Sequence, residues 1–364
     1  MELVDFDKVY DKVISLIPVK QEKGGDGDFR ALLHDVLEKY YAIVSTCGDL
    51  TGYLINVKDI RKTIDEINTI VEYEYKGLHW IAFERFRSLV NDEDSPLHQS
   101  LVIDGKGTIP TTFYRMRRMA DRRDISYKDL FHLPLSKRNY VPNGRFSLPG
   151  YPCLYLGASI YACWEEMARP PMSESMVSKL ECQKPLRLLD LRMPTKEDFK
   201  KRLSYLWAMP IIIASSVVVH EPAGTFKPEY IIPHLIMEFI VSYNEMGEDD
   251  EPMHGVLYTS VFKSEDFDYP LDKLVNVALP VMKPLESKVF CKELCRLFKM
   301  TRPTCDEIEQ AKSNGYPTLE YNKEENRLTE YKGMVVDYEH STFGYLEQRI
   351  NNTKLFPLIT IEDK

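Results

Sequence analysis

The 364-residue sequence predicts an α+β protein, with a helical bundle over its first hundred residues and then a β-sheet core with flanking helices. Two patterns carry that prediction. Up to residue 90, apolar side chains recur at helical spacing in four stretches; from Thr111 they fall into short alternating runs separated by turn residues and single helices. A content of 44% hydrophobic and 28% charged residues is ordinary for a globular protein, and the length suffices for two domains or one large domain with an extension.

Phe6, Val9, Tyr10, Val13, Ile14 and Ile17 form the first helical stripe, which ends at Pro18 and gives way to a polar loop at 23–28. Phe29, Leu32, Leu33, Val36, Leu37, Tyr40 and Tyr41 keep the same period in a second helix, with Gly48 just past its end. A third helix spans Val57–Tyr75 with Ile60, Ile64, Ile67 and Val71 inward, and a fourth spans 78–90. Each stripe needs the others to leave water, so a small bundle is the economical arrangement. Residues 91–110, with Asp92, Asp94, Pro96, Gly105 and Gly107, read as a boundary. The expected domains are therefore helical 1–107, a core 108–300, and a C-terminal appendage 301–364 packed on that core.

In Phe113-Tyr-Arg-Met-Arg117, alternation puts Phe113, Arg115 and Arg117 on one side of a strand. Residues 128–149 are polar and irregular, and they concentrate Lys137, Arg138 and Arg145 near His132; loops of that length inside a compact domain are commonly functional. Strands are expected at 186–191, 255–262 and 271–279, and helices at 196–206, 231–243 and 289–300. The run 211–219 is apolar enough to be buried as a strand or a core helix. From Asp306 the composition turns polar and charged.

A net charge of −9 argues against a bulk electrostatic nucleic-acid binder. The first residues are acidic, without the basic segment and apolar run of a secretory signal, and the run 205–219 is shorter than the roughly 20 residues a spanning helix needs. A cytoplasmic protein with no membrane contact is expected. Seven cysteines, at 47, 153, 163, 182, 291, 295 and 305, lack the paired spacing of a disulfide framework or zinc ribbon, so reduced thiols and no metal are expected.

Chemistry-bearing residues concentrate in 143–167, NGRFSLPGYPCLYLGASIYACWEEM. A strand at 153–156 leads through Gly157 into a helix capped by Ser159, on which Ser159, Ala162, Cys163 and Glu166 share a face small enough to lie close to a sheet. Glu165 stands about 100° around that helix. Arginine binds phosphate oxygens bidentately and stays charged, so Arg115 and Arg145 suit a diphosphate. Tyr155 suits stacking on a base or pyridine ring. A carboxylate beside them suits a ribose hydroxyl and the positive charge of a breaking glycosidic bond. The bland alternatives are ion-paired arginines, a core tyrosine and solvated glutamates.

These motifs resemble those of the RES-domain family, named for Arg, Glu and Ser. The ordered matches are Arg115 in FYRMR, Arg145 in GRFS, Tyr155 in LYLGAS, Glu166 in CWEE, Glu229-Tyr230 opening a helix, and Ser260 in GVLYTS, over roughly residues 111–285. Glu166 lies at the family's interval of eleven from Tyr155, and Glu165 matches after a one-residue shift. Ser260 lies ninety-four residues beyond Glu166, and Ser215 or Ser216 competes for the family serine. The resemblance implies an ADP-ribosyltransferase-like mixed sheet and a NAD-consuming toxin or defence effector that releases nicotinamide, with NAD as substrate and no cofactor. Carried over, Arg115 and Arg145 bind the diphosphate, Tyr155 packs on nicotinamide or ribose, Glu166 or Glu165 stabilises the oxocarbenium, and Ser260 positions the amide or the acceptor. Arg138 and Tyr258 join the substrate-binding set. The ribosyl acceptor is water, phosphate or, in a mono-ADP-ribosyltransferase, a macromolecule; a catalytically silent nucleotide-binding module is the third reading. The helical part is expected to hold the site shut, to dimerise, or to dock an antitoxin or regulatory protein.

Overall fold

The computed structural model describes residues 6–21, 28–46, 57–104, 109–119, 125–202, 204–247, 251–261, 271–313, 321–322, 327–328 and 338–358. The architecture is α+β, as the sequence predicts, with a nine-stranded sheet and a separate two-stranded ribbon. Two compact units divide the chain: Met1–Ile103, Pro142–Pro149 and Arg187–Val256 form the first, and Asp104–Val141, Gly150–Leu186 and Leu257–Lys364 the second. Segment 187–256 thus packs with the N-terminal helices.

In the first unit, the four predicted helices are α1 (Phe6–Ile14), α2 (Phe29–Thr46), α3 (Val57–Tyr75) and α4 (His79–Val90). The inner face of α3 is the expected one, with Ile60, Ile64 and Ile67 fully buried. The presumed boundary holds structure of its own, a short helix α5 (Pro96–Leu101) capped by the Ser95 hydroxyl and a strand β1 (Val102–Asp104).

The chain next builds β2 (Thr112–Arg118), β3 (Cys153–Gly157), α6 (Ile160–Glu166) and β4 (Ser175–Cys182), all in the second unit. It then returns to the first unit with β5 (Arg187–Leu191), α7 (Lys196–Lys201), α8 (Tyr205–Ser215) and α9 (Ile231–Met246). The ambiguous apolar run resolves as a helix, α8, whose interior contains Pro210. Proline has no N–H to give the carbonyl four residues back, which here is Leu206. That carbonyl accepts instead from the Tyr40 hydroxyl at 2.6 Å, so α2 repairs the break in α8.

The remaining elements are β6 (Gly255–Thr259), β7 (Val275–Pro280), α10 (Lys292–Leu297), β8 (Phe298–Thr301), α11 (Asp306–Ser313), the ribbon β9 (Tyr321–Asn322) with β10 (Arg327–Leu328), α12 (Thr342–Asn351) and β11 (Leu355–Pro357). The helix expected at 289–300 is short and turns into β8, because Phe298 and Met300 alternate inward from a strand paired with β4. Within the second unit the strand order is β7-β3-β2-β4-β8-β11. The polar C-terminal region packs on the second unit through α12. Phe343, Leu346 and Ile350 of α12 are fully buried in one cluster with Trp164, Tyr161 and Tyr114, and Phe343 lies 5.2 Å from the Trp164 ring centre.

Candidate active site in the second unit

The sheet of the second unit opens between its central strands. β2 pairs with β4 along its whole length, from Thr112 opposite Glu181 to Arg118 opposite Ser175. With β3 it pairs only at Tyr114 opposite Gly157. β3 meanwhile stays paired with β7 from Cys153 to Gly157, so its backbone groups on the β2 side face a gap.

Arg115, one residue past the last β2–β3 pair, fills that gap. Its guanidinium donates to the Tyr155 carbonyl at 2.6 Å, in the place of a ladder bond. Among the described residues no carboxylate pairs with it, and its Nε–H is shielded from water with no acceptor. Burial lowers the pKa of Arg115 from its ordinary value, and arginine keeps its charge regardless. A shielded donor without an acceptor costs about 1–3 kcal/mol, more when charged. Opposite the half-buried Arg115 stands Ser178 of β4, which is fully buried with its hydroxyl lacking a partner.

Helix α6, which carries both glutamates, packs on β2 and β3. The Ser159 hydroxyl accepts from the Ala162 N–H at 2.9 Å, the predicted cap. Only glycine fits at 157, since a Cβ there would meet the Cys163 sulfur at 2.8 Å; the small face of α6 lies directly on the strands. The Cys163 thiol, pushed up to about 12 by burial, donates to the Tyr114 carbonyl at 3.2 Å. From α12, the Glu347 carboxylate accepts from the Ile160 N–H at 2.6 Å and from the Tyr338 hydroxyl, which fixes the start of α6. Burial raises the Glu347 pKa, so this carboxylate is held at a cost that its two donors reduce.

The two glutamates part company. Glu166 is half-buried, and its Oε1 accepts from the Asn276 side chain at 3.0 Å. Asn276 pairs with Gly157, which pairs in turn with Tyr114, so the backbone at Asn276, the partner of Glu166, lies about two strand spacings, ~10 Å, from the backbone at Tyr114, the neighbour of Arg115. Glu165 is buried and ion-paired to Arg169 at 2.9 Å, with its other oxygen shielded and unpartnered. Arg169 and Ala168 both take left-handed backbone, φ +58° and +56°, and the ion pair holds that turn behind α6. Ser260, buried at the end of β6, donates its N–H to the Leu274 carbonyl, two residues before Asn276. Tyr258 is buried two residues earlier, and Tyr155 is half-buried on β3. Arg115, Tyr155, Glu166, Glu165, Tyr258 and Ser260 therefore all belong to the second unit.

Five residues that the sequence singled out lie differently. Arg145 belongs to the first unit, where its guanidinium donates to the Ser215 carbonyl at 2.7 Å and the Val217 carbonyl at 2.8 Å and sits over the Tyr230 ring. It caps the C-terminal carbonyls of α8, a structural task that differs from the diphosphate contact expected of it. Ser215 and Ser216 close that same helix, so Ser260 alone of the three serines shares a unit with Glu166. Arg138 is exposed and donates to the Gly150 carbonyl at 2.9 Å. His132 is fully buried between Phe131 and Phe290; its Nε2 accepts from the Cys291 N–H at 2.9 Å, leaving Nδ1 to donate to the Leu133 carbonyl. Burial lowers its pKa to about 4, so it is a neutral structural ring.

Sequence reasoning missed Asn276 and Ser178. Asn276 carried a signal, a lone amide inside the apolar run Val275–Pro280; Ser178 carried none beyond its place in an alternating strand. Among the described residues no cluster of His, Cys, Asp or Glu is arranged to hold a metal, and no helix is long and apolar enough to cross a membrane.

No family model matches the sequence, and no solved structure matches it. The chain is similar to a Bacillus subtilis (strain 168) protein named "Putative toxin YopC", at 26% identity over 366 aligned positions that cover 94% of this chain and 80% of that protein.

Proposed function

We propose that the chain is a toxin of the RES type that depletes NAD by cleaving its nicotinamide–ribose bond. The observation that carries this reading is Arg115, a guanidinium set in the opening of a sheet with a shielded Nε–H and no carboxylate among the described residues to balance it. A half-buried cation with a shielded N–H left in that state suits an anion from outside, and the planar fork of arginine matches a diphosphate. The name of the relative supports the toxin role, and the ordered motifs around Arg115, Tyr155 and Glu166 support the substrate.

In this reading the diphosphate of NAD neutralises Arg115, and the nicotinamide ribose lies toward Glu166. Asn276 orients the Glu166 carboxylate through Oε1, and that carboxylate is the group that meets a ribose hydroxyl. As the glycosidic bond breaks, its electron pair passes to the pyridinium nitrogen, nicotinamide leaves neutral, and the positive charge moves to the ribose, where the carboxylate stabilises it. Water then adds at the ribose carbon and gives up one proton, yielding ADP-ribose; inorganic phosphate in its place yields ADP-ribose 1″-phosphate. The test is chromatographic analysis of NAD incubated with purified protein, with and without inorganic phosphate. Free nicotinamide with an equimolar ADP-ribosyl product supports the reading and identifies the acceptor. Intact NAD, under conditions where the protein binds it, would leave a silent binding module.

A further inference from the structure

The first unit carries a groove of about 630 Å³ between α3, α4, the turn into α5 and Trp207 of α8. That volume lies within the range of functional pockets, roughly 300–1,000 Å³. Trp80 stands on its wall 70% exposed, with Ile81, Leu89 and Leu97 also lining it. The Trp207 indole N–H is shielded from water and has no acceptor. A large exposed indole beside an unsatisfied one marks a surface suited to a partner, since both are the residue type most enriched at binding hot spots. Of the charges on the groove, Arg85 is already held bidentately by Glu66, at 3.0 and 2.7 Å, and Glu84 lies 3.8 Å from Arg87. That leaves Asp59, Asp92 and Asp94 against Lys62, on a chain of net charge −9.

We propose that this groove docks a cationic amphipathic helix of a partner protein. A cleft between two packed helices is the setting of helix-in-groove recognition, with apolar anchors entering between the flanking helices. The anchors would cover Trp80, Lys or Arg side chains on the edge of the docked helix would meet Asp92 and Asp94, and a polar side chain would give the Trp207 N–H its acceptor. The complementarity of charge makes association fast and salt-dependent.

The test uses the full chain and a labelled Lys/Leu peptide of about four helical turns, followed by fluorescence anisotropy. Glu/Leu peptide and spermine serve as competitors, and circular dichroism verifies that each variant is folded. Saturable binding of the Lys/Leu peptide is expected, roughly tenfold weaker in the Asp92→Lys/Asp94→Lys double variant and in Trp80→Ala. Asp35→Lys, a reversal on the exposed Asp35–Lys39 pair of α2 outside the groove lining, is expected to leave it unchanged. Equal weakening by Asp35→Lys would reduce the effect to bulk charge and overturn the proposal. Displacement by Glu/Leu peptide, displacement by spermine at matched charge, or no saturable binding would each overturn it as well.

Discussion

Replacing His132 by Gln should remove a pH dependence from the stability of the protein. The ring is fully buried, and its Nε2 must accept from the Cys291 N–H, which a proton on that nitrogen forbids. Its pKa is accordingly lowered from 6.5 to about 4. Below 6.5 the unfolded chain takes up a proton that the folded chain refuses, so stability falls as the pH drops from 6.5 toward 4 and is fully present above 6.5. With those two values the loss is about 2 kcal/mol at pH 5 and about 3 kcal/mol at pH 4. Urea unfolding of both proteins at pH 7 and pH 5 measures it. The wild type should lose about 2 kcal/mol more than His132→Gln between the two pH values, even though the variant starts lower at pH 7 from lost packing against Phe131 and Phe290. Equal losses in the two proteins would refute the structural role, as would a variant of native stability that loses turnover.

Other variants probe the frame around the site. Phe343→Ala empties a buried ring position against Trp164 and should cost about 3–5 kcal/mol, read as a lower urea midpoint; a cost below ~1 kcal/mol would mean that α12 is peripheral after all. Arg145→Ala leaves the Ser215 and Val217 carbonyls at the end of α8 without their donor and should destabilise by about 1–3 kcal/mol, with Lys recovering only part because it lacks the fork. Tyr40→Phe exposes the consequence of Pro210: the Leu206 carbonyl loses its donor, and unfolding should become easier by about 1–2 kcal/mol, an effect that a further Pro210→Ala change should diminish.

The helical half was legible because its stripes are long and strongly periodic; α3 buries the isoleucines the spacing selects. Strand β2, the cap at Ser159 and the close face of α6 were legible for the same reason, since each depends on residues within one element or its immediate neighbour. What escaped depends on contacts distant in sequence. Glu165 and Glu166 are adjacent and chemically identical, and only Asn276, far along the chain, and Arg169, in a left-handed turn, give them separate tasks. Arg145 looked like a ligand in its glycine-flanked loop, but the helix end it caps lies seventy residues on. The C-terminal segment read as polar overall, while the few apolar residues of α12 that fill the core are diluted among charges. The opening between β2 and β3 has no local signature at all, because a strand's pairing partners are not written in its own residues.

The measurement that tests the account most directly is the initial rate of nicotinamide release from NAD by wild type, Glu166→Gln, Glu165→Gln and Arg115→Lys, each shown by circular dichroism to be folded. Release by wild type is expected, with a fall of roughly a hundredfold or more in Glu166→Gln at unchanged melting temperature, because the carboxylate acts at the ribose. Arg115→Lys should weaken NAD binding, whereas Glu165→Gln should lower the melting temperature and leave the rate within about tenfold. Full activity in Glu166→Gln, or no release by folded wild type saturated with NAD, would contradict it.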